Sequence, residues 1–292
     1  VIGFTGKDNV GNYGLEQYYN SVLNGTNGRE YGYLNDDETL ERTTIPATDG
    51  YNIVSTIDGN IQQIVERYIK DFNDEYTNAA RSGNGARNVG CIIMDVNNEN
   101  VLAMAGYPVF DLNNPRDTSA LIGSPMVNEK GNIDYEAEVI SAENIDTLLS
   151  DDAKTYQNLN YLWKNFCISA TYEPGSVAKP FTVAAGLESG KMSGNEYYTC
   201  NGQLHVGDHD IKCHNYKSGG DGTLSVQESI EKSCNVALML MGKQIGKSTF
   251  LEYQEKFNFG LKTNIDLYGE SRTSSLVFNT QSMGDTELAT ST

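Results

Sequence analysis

The chain has 292 residues, 21 Lys and Arg against 39 Asp and Glu, a formal net charge of −18 and only 38% hydrophobic residues. That length suits one large domain plus a smaller piece. So negative a field, with no basic stripe or finger spacing to offset it, argues against nucleic acid as a partner. Apolar runs such as Val183–Leu187 and Ala237–Met241 fall far short of the roughly 18 residues that read as a membrane span. No signal peptide is visible before the first polar segment.

Residues 1–51 are rich in Gly, Asn and Tyr, with turn signals at Asn24-Gly25-Thr26, Asn27-Gly28, Asn35-Asp36-Asp37 and Asp49-Gly50. This pattern predicts short strands and loops rather than helices, in a small appendage. Ile53–Ile57 reads as a short strand. Asp58 then caps a helix whose apolar residues Ile61, Ile64, Val65, Tyr68, Ile69 and Phe72 recur every three or four positions. Two apolar runs, 89–96 and 100–106, joined by Asn97-Asn98-Glu99, predict a buried antiparallel hairpin. Residues 108–160 are polar and acidic, with one weakly helical patch at Asp146–Leu149, and read as a surface insertion or functional rim rather than core. Three patterned helices follow: Ser176–Leu187, Ser225–Lys232 with Ser225 and Glu228 as a capping box, and Asn235–Ile245, apolar almost all round.

Two tetrads have the form Ser-x-x-Lys, at Ser176–Lys179 and Ser229–Lys232. Positions i and i+3 share a helix face, so hydroxyl and amine come within reach. A desolvated lysine of lowered pKa takes the serine proton without any histidine, and a helix N-terminus favours the oxyanion that follows. The tetrad alone is weak, and a plain N-cap is the competing reading of Ser176. Ser229 falls inside the helix opened by the capping box, where its hydroxyl is expected to bond back to a carbonyl. Ser176 follows Pro174-Gly175, a turn into a helix. Downstream, Ser233-Cys234-Asn235 lies between two helices, where Asn235 is either a helix cap or part of a site.

In this order the two motifs resemble those of the penicillin-binding proteins, the serine DD-transpeptidases that cross-link peptidoglycan and that β-lactams acylate. The resemblance extends to Gly14-Leu15-Glu16, Tyr18-Tyr19, Leu23–Thr26 and Gly28-Arg29-Glu30, which look like the end of the non-catalytic domain of monofunctional class B members. Thr56-Ile57-Asp58 with Ile61-Gln62, Ala103–Pro108, Thr171–Ser176, and Ile265-Asp266-Leu267 with Gly269-Glu270 are similar to class B transpeptidase segments. The resemblance implies an α/β (α+β) domain with a helical part and an antiparallel sheet, at 51–292, preceded by the end of a non-catalytic domain at 1–50. It implies Ser176 as the acylated nucleophile and Lys179 as general base. Ser233 would relay a proton toward the departing D-alanine, and Asn235 would hold Lys179 and bond the substrate backbone. No metal and no organic cofactor is required. Stem peptides ending in D-Ala-D-Ala, β-lactams and cell-wall synthesis proteins are the implied partners. The implied location is the extracytoplasmic face of the cell membrane, through an anchor not contained in this sequence.

The family's third motif, Lys-Thr-Gly, is not found: Lys262-Thr263 is followed by Asn264, and Ile265-Asp266-Leu267 matches a segment upstream of that motif. The expectation is a chain cut short before it, with an incomplete sheet and a rate lowered by on the order of 10² to 10³ if one oxyanion donor is lost. A class D-like β-lactamase or β-lactam sensor, and a non-catalytic scaffold, are the alternative readings. Among the five cysteines, Cys200 and Cys213 share a window with His205, His209 and His214. Its spacing is not a standard zinc pattern, and Val206–His209 reads as a hairpin turn that sets Cys200 beside Cys213 as a disulfide or facing thiols. Cys91 reads as strand packing, and Cys234 as small-residue filler.

Overall fold

The structure, a computed structural model, describes residues 1–34 and 40–292. It divides into two compact units: Val1–Ala170 with Ile265–Glu270, and Thr171–Asn264 with Ser271–Thr292.

The first unit opens with β1 (Phe4–Thr5) paired antiparallel to β2 (Gly11–Asn12). Contrary to the expectation of strands and loops alone, two short helices follow, α1 (Gly14–Tyr18) and α2 (Asn20–Leu23). Each is about one turn long, too short for periodicity to announce it, and side chains fasten both to the backbone before them. The Tyr13 N–H donates to Gln17 Oε1 at 3.0 Å, and the Gly11 N–H donates to Asn20 Oδ1 at 2.8 Å. β3 (Arg29–Leu34) and β4 (Leu40–Ile45) then form an antiparallel hairpin. The turn signal at Asn35-Asp36-Asp37 lies outside the described residues.

α3 (Gly59–Tyr76) starts where the sequence places it, with Asp58 accepting from the N–H groups of Asn60 and Ile61 at 2.8 and 3.1 Å. Its Val65 and Ile69 are buried with Ala103 and Ala105 of the hairpin β5 (Val89–Met94) and β6 (Val101–Tyr107). Gln62 serves Met104 as a neighbouring strand would. Its Oε1 accepts from the Met104 N–H at 2.9 Å, and its Nε2 donates to the Met104 carbonyl at 3.0 Å. The predicted strand at 53–57 does not form. That segment has two anchors instead of a ladder, Thr56 Oγ1 to the Val101 carbonyl at 2.7 Å and the Asp58 N–H to the Leu102 carbonyl at 2.9 Å.

The expectation that 108–160 lies outside the core is overturned. Leu121, Ile140, Leu148, Leu159, Leu162 and Trp163 bury one another there, around α4 (Ile145–Leu149) and α5 (Asp152–Trp163). Phe4 and Tyr13 supply more ring surface to Trp163, with centroids 5.1 and 5.7 Å away. Buried Asn158 satisfies the loop, accepting from the Val127 N–H at 3.0 Å, and Trp163 Nε1 donates to the Pro115 carbonyl at 2.7 Å. α6 (Phe166–Ser169) closes the unit. Tyr19 donates its hydroxyl to Asp266, so two of the family-like segments meet here.

The second unit is built on α9 (Asn235–Ile245), whose Val236, Ala237, Leu238, Met239, Met241 and Ile245 are all buried. Ahead of it in the chain come α7 (Lys179–Glu188), β7 (Tyr197–Cys200), β8 (Gln203–Val206), β9 (His209–Lys212), β10 (Gly222–Ser225) and α8 (Val226–Glu231). β8 and β9 form the expected hairpin through Gly207-Asp208, with Gly207 at φ 57°, and β10 pairs antiparallel with β7. The capping box at Ser225 and Glu228 is present. Two further helices, α10 (Lys247–Lys256) and α11 (Asp285–Ser291), carry too few apolar residues to have been predicted.

Candidate active site

Ser176 sits in a 3₁₀ turn, Gly175–Ala178, that runs directly into α7 at Lys179. Gly175 enters the turn at φ 59°, a left-handed conformation that glycine adopts without strain. With three residues per turn, positions i and i+3 eclipse, so Ser176 and Lys179 leave the backbone on the same side. Their surroundings differ sharply. Ser176 is exposed, whereas Lys179 is only 6% exposed. No side-chain cap bond marks the start of the turn. Among the described residues no hydrogen bond joins the Ser176 hydroxyl to the Lys179 amine.

Lys179 Nζ donates to Asn235 Oδ1 at 2.6 Å, to the Ser233 carbonyl at 2.8 Å and to Ser233 Oγ at 3.0 Å. Three of the four predicted site residues therefore meet around one amine. Burial holds the Lys179 ammonium below the usual lysine value, against the opposing pull of the Cys213 and Cys234 sulfurs. Asn235 does not cap α9. The cap is Cys234, whose sulfur accepts from the Ala237 N–H at 3.5 Å, and this frees the Asn235 amide for Lys179.

Ser233 has φ 51°, which a residue with a Cβ adopts at a cost of about 1 kcal/mol. Its N–H bonds to the Ile230 carbonyl and the Cys234 N–H to the Ser229 carbonyl, both at 2.9 Å, the paired bonds of a Schellman turn that ends α8. Glycine is the usual occupant of this position. The serine that replaces it is the one whose hydroxyl reaches Lys179. Ser229, of the second tetrad, is fully buried and donates to the Ser225 carbonyl at 2.7 Å, as its position inside a helix requires.

Over residues 89–286, more than half of its length, the sequence matches the model of the penicillin-binding protein transpeptidase domain. The chain belongs to that family. Stage V sporulation protein D of Bacillus subtilis strain 168 is 29% identical over 99% of this chain and 38% of its own length. The peptidoglycan D,D-transpeptidase FtsI of Escherichia coli strain K12 is 27% identical over 99% of this chain and 40% of its own. The chain thus spans about two fifths of these relatives. The solved structure of penicillin-binding protein 2X from Streptococcus thermophilus superposes with a TM-score of 0.68 at 20% identity, covering 99% of this chain and 37% of that one, a likeness of fold. Among the described residues, no helix of this transpeptidase-family chain is long and apolar enough to cross a membrane.

Of the two forms expected for Cys200 and Cys213, a disulfide or facing thiols, the structure has buried thiols. The hairpin does bring them close, but as two members of a larger group: Cys200, Cys213, Cys234 and Asp221 place their sulfur and carboxylate atoms within 4.8 Å of one another. Burial works against ionisation of Asp221, yet the Asn215 amide and the neighbouring thiols hold its carboxyl below the usual range. Burial pushes the Cys234 thiol up. Of the histidines in the same window, His205 pairs with Asp210 at 2.8 Å on the exposed hairpin and His209 is exposed, whereas His214 Nδ1 lies 3.5 Å from Cys213 Sγ at the edge of the group. Asp221 escaped the sequence reading, since nothing local distinguishes it from any acidic residue in a glycine-rich loop.

Proposed function

We propose that this chain carries the acyl-transfer centre of a peptidoglycan DD-transpeptidase, with Ser176 as nucleophile, Lys179 as general base and Ser233 and Asn235 as its partners. The observation that supports this best is the buried Lys179 Nζ, within hydrogen-bond reach of three oxygens of Ser233 and Asn235, one of them a hydroxyl that can donate to the free amine, and one 3₁₀ turn from an exposed serine. Burial favours the free amine, the form that accepts a proton. Ser176 Oγ attacks the carbonyl between two D-alanines as its proton passes to Lys179, and collapse of the adduct expels the terminal D-alanine, its amine protonated through Ser233. An amine of a neighbouring stem peptide then attacks the acyl-serine, regenerating the hydroxyl. A β-lactam stops at the acyl-serine stage. The substrates are D-Ala-D-Ala stem peptides, and the site of action is the outer face of the cytoplasmic membrane, in company with other cell-wall synthesis proteins.

The test is incubation with a labelled penicillin followed by mass analysis of the peptide containing Ser176. A long-lived adduct on Ser176, abolished in Ser176→Ala, is the expected result. Rapid turnover of the label would favour the β-lactamase reading, and a folded chain that never labels would sink the acyl-transfer reading.

A further inference from the structure

We propose that Cys200, Cys213, Cys234 and Asp221 form a four-ligand site for a divalent zinc-class metal ion that locks the turn carrying Ser233 and Asn235. The geometry points there first. A tetrahedral zinc with Zn–S of ~2.3 Å and Zn–O of ~2.0 Å sets its sulfurs ~3.8 Å apart and each sulfur ~3.5 Å from the oxygen. Here Cys213 Sγ lies 3.8 Å from Cys234 Sγ and 3.6 Å from Asp221 Oδ2, with all four ligand atoms inside 4.8 Å. Cys200, Cys213 and Cys234 are buried, at 0, 4 and 0% exposed, so the centre is closed to solvent on its sulfur side. Four ligands that fill a tetrahedron and leave no open position describe a structural metal site, not a catalytic one.

The donor set and its surroundings agree. Thiolates with one carboxylate suit zinc better than magnesium or calcium, which take oxygen ligands. Asp221 uses its second oxygen, Oδ1, to accept from Asn215 Nδ2 at 2.5 Å, the outer-layer bond that orients a ligating carboxylate. The ligands come from four separate places: the end of β7, the residue after β9, the loop before β10 and the cap of α9. Metal binding exchanges three thiol protons for one divalent cation, the protons leaving to solvent, and draws these places together. Cys234 is the residue between Ser233 and Asn235, so a metal bond to its sulfur fixes the backbone from which both reach Lys179. The inference stands on the sulfur geometry and is independent of the acyl-transfer reading.

The whole chain, purified under reducing conditions from zinc-supplemented medium, is assayed for metal by plasma mass spectrometry and for thiols with Ellman's reagent. The expected result is one zinc per chain, with three of the five cysteines slow to react until a chelator is added. Cobalt titrated into the metal-free chain should give sulfur-to-cobalt charge-transfer absorption that saturates at one equivalent, and zinc should abolish it. Asn215→Ala should weaken zinc binding by about 10- to 100-fold, and Cys200→Ser by more, while Cys91→Ser and Cys167→Ser leave the stoichiometry at one. Five thiols reacting alike in a folded, metal-free chain that gives no cobalt band would overturn the proposal. So would a Cys213–Cys234 disulfide in protein handled under reductant, or zinc retained undiminished by Cys200→Ser. Because the wild-type chain supplies the first two readouts, a variant that fails to fold does not shelter the idea.

Discussion

Asn235→Asp keeps the shape of the site and changes one property, turning the neutral oxygen 2.6 Å from Lys179 Nζ into a carboxylate. In the wild-type site, burial holds Lys179 below its usual value of 10.5 and only the Cys213 and Cys234 sulfurs pull the other way. A carboxylate at hydrogen-bond distance stabilises the ammonium and raises the pH at which it releases its proton by roughly one to three units. A general base acts only as the free amine, and below its pKa the free fraction falls about tenfold for each pH unit. The sign is therefore fixed. Near neutral pH the variant should acylate about 10- to 10³-fold more slowly, and its rate should keep climbing with pH after the wild-type rate has levelled. The assay is the second-order rate of adduct formation with a fluorescent penicillin from about pH 6 to pH 10, with thermal unfolding at each pH to show that the chain stays folded. A variant whose profile keeps the wild-type midpoint and only loses height would refute the claim that Asn235 acts through the amine. A midpoint displaced to lower pH would contradict the electrostatics outright.

Ser233→Ala and Ser233→Gly both remove the hydroxyl and should slow acylation alike, by up to about tenfold for a lost hydrogen bond to the Lys179 amine. The glycine variant should nevertheless unfold at higher temperature than the alanine variant, by about 1 kcal/mol of relieved left-handed strain, and equal stabilities would show that the turn bears none. Ser229→Ala, in the second tetrad, should label at the wild-type rate and lose no more than about 1.5 kcal/mol in denaturant unfolding, and loss of labelling in a folded chain would give that serine a part in the site. Gln62→Ala leaves the Met104 N–H and carbonyl without their partner and should destabilise the first unit by about 1–3 kcal/mol, measured by the denaturant midpoint. Faster amide exchange at Met104 should accompany it.

The parts of the fold that were legible in the sequence share one property: their signal is local. Asp58 with the spacing that follows it, the two apolar runs around Asn97-Asn98-Glu99, and Ser225 with Glu228 each declare themselves within a few residues, and each forms, although the hairpin read as buried leaves Ile92, Met94 and Val96 exposed. The core at 108–160 was not legible because its apolar residues are spread thinly. Leu121 and Ile140 pair with α5 from far along the chain, Phe4 and Tyr13 add rings from the start of the unit, and Asn158 does by hydrogen bonding what a composition count scores as polar. The site divides in the same way. Ser176 with Lys179, and Ser233 with Asn235, are short motifs, but what suits Lys179 to the proposed role of base is its burial, and burial is set by the packing of α7 against α9. The association of Cys234 with Asp221 exists only after β7, β9 and α9 have assembled, so neither residue stands out in its own stretch of sequence.

The tripeptide Ser233-Cys234-Asn235 shows why a short motif needs a whole unit beneath it. Its first and third residues both contact Lys179, while the middle side chain is fully buried among Cys200, Cys213 and Asp221. Adjacent residues send their side chains apart in this way only if the backbone between them is held, and a six-residue helix ending at Glu231 is a weak hold by itself. The holding is divided between the Schellman bonds from Ser233 and Cys234 on one side and the Cys234 sulfur capping α9 on the other. A change that frees that sulfur loosens both ends of the motif at once, without touching a residue that meets the substrate. Damage at Cys200 should therefore appear as disorder at Asn235 and a slower acylation, with Ser176 itself unmoved.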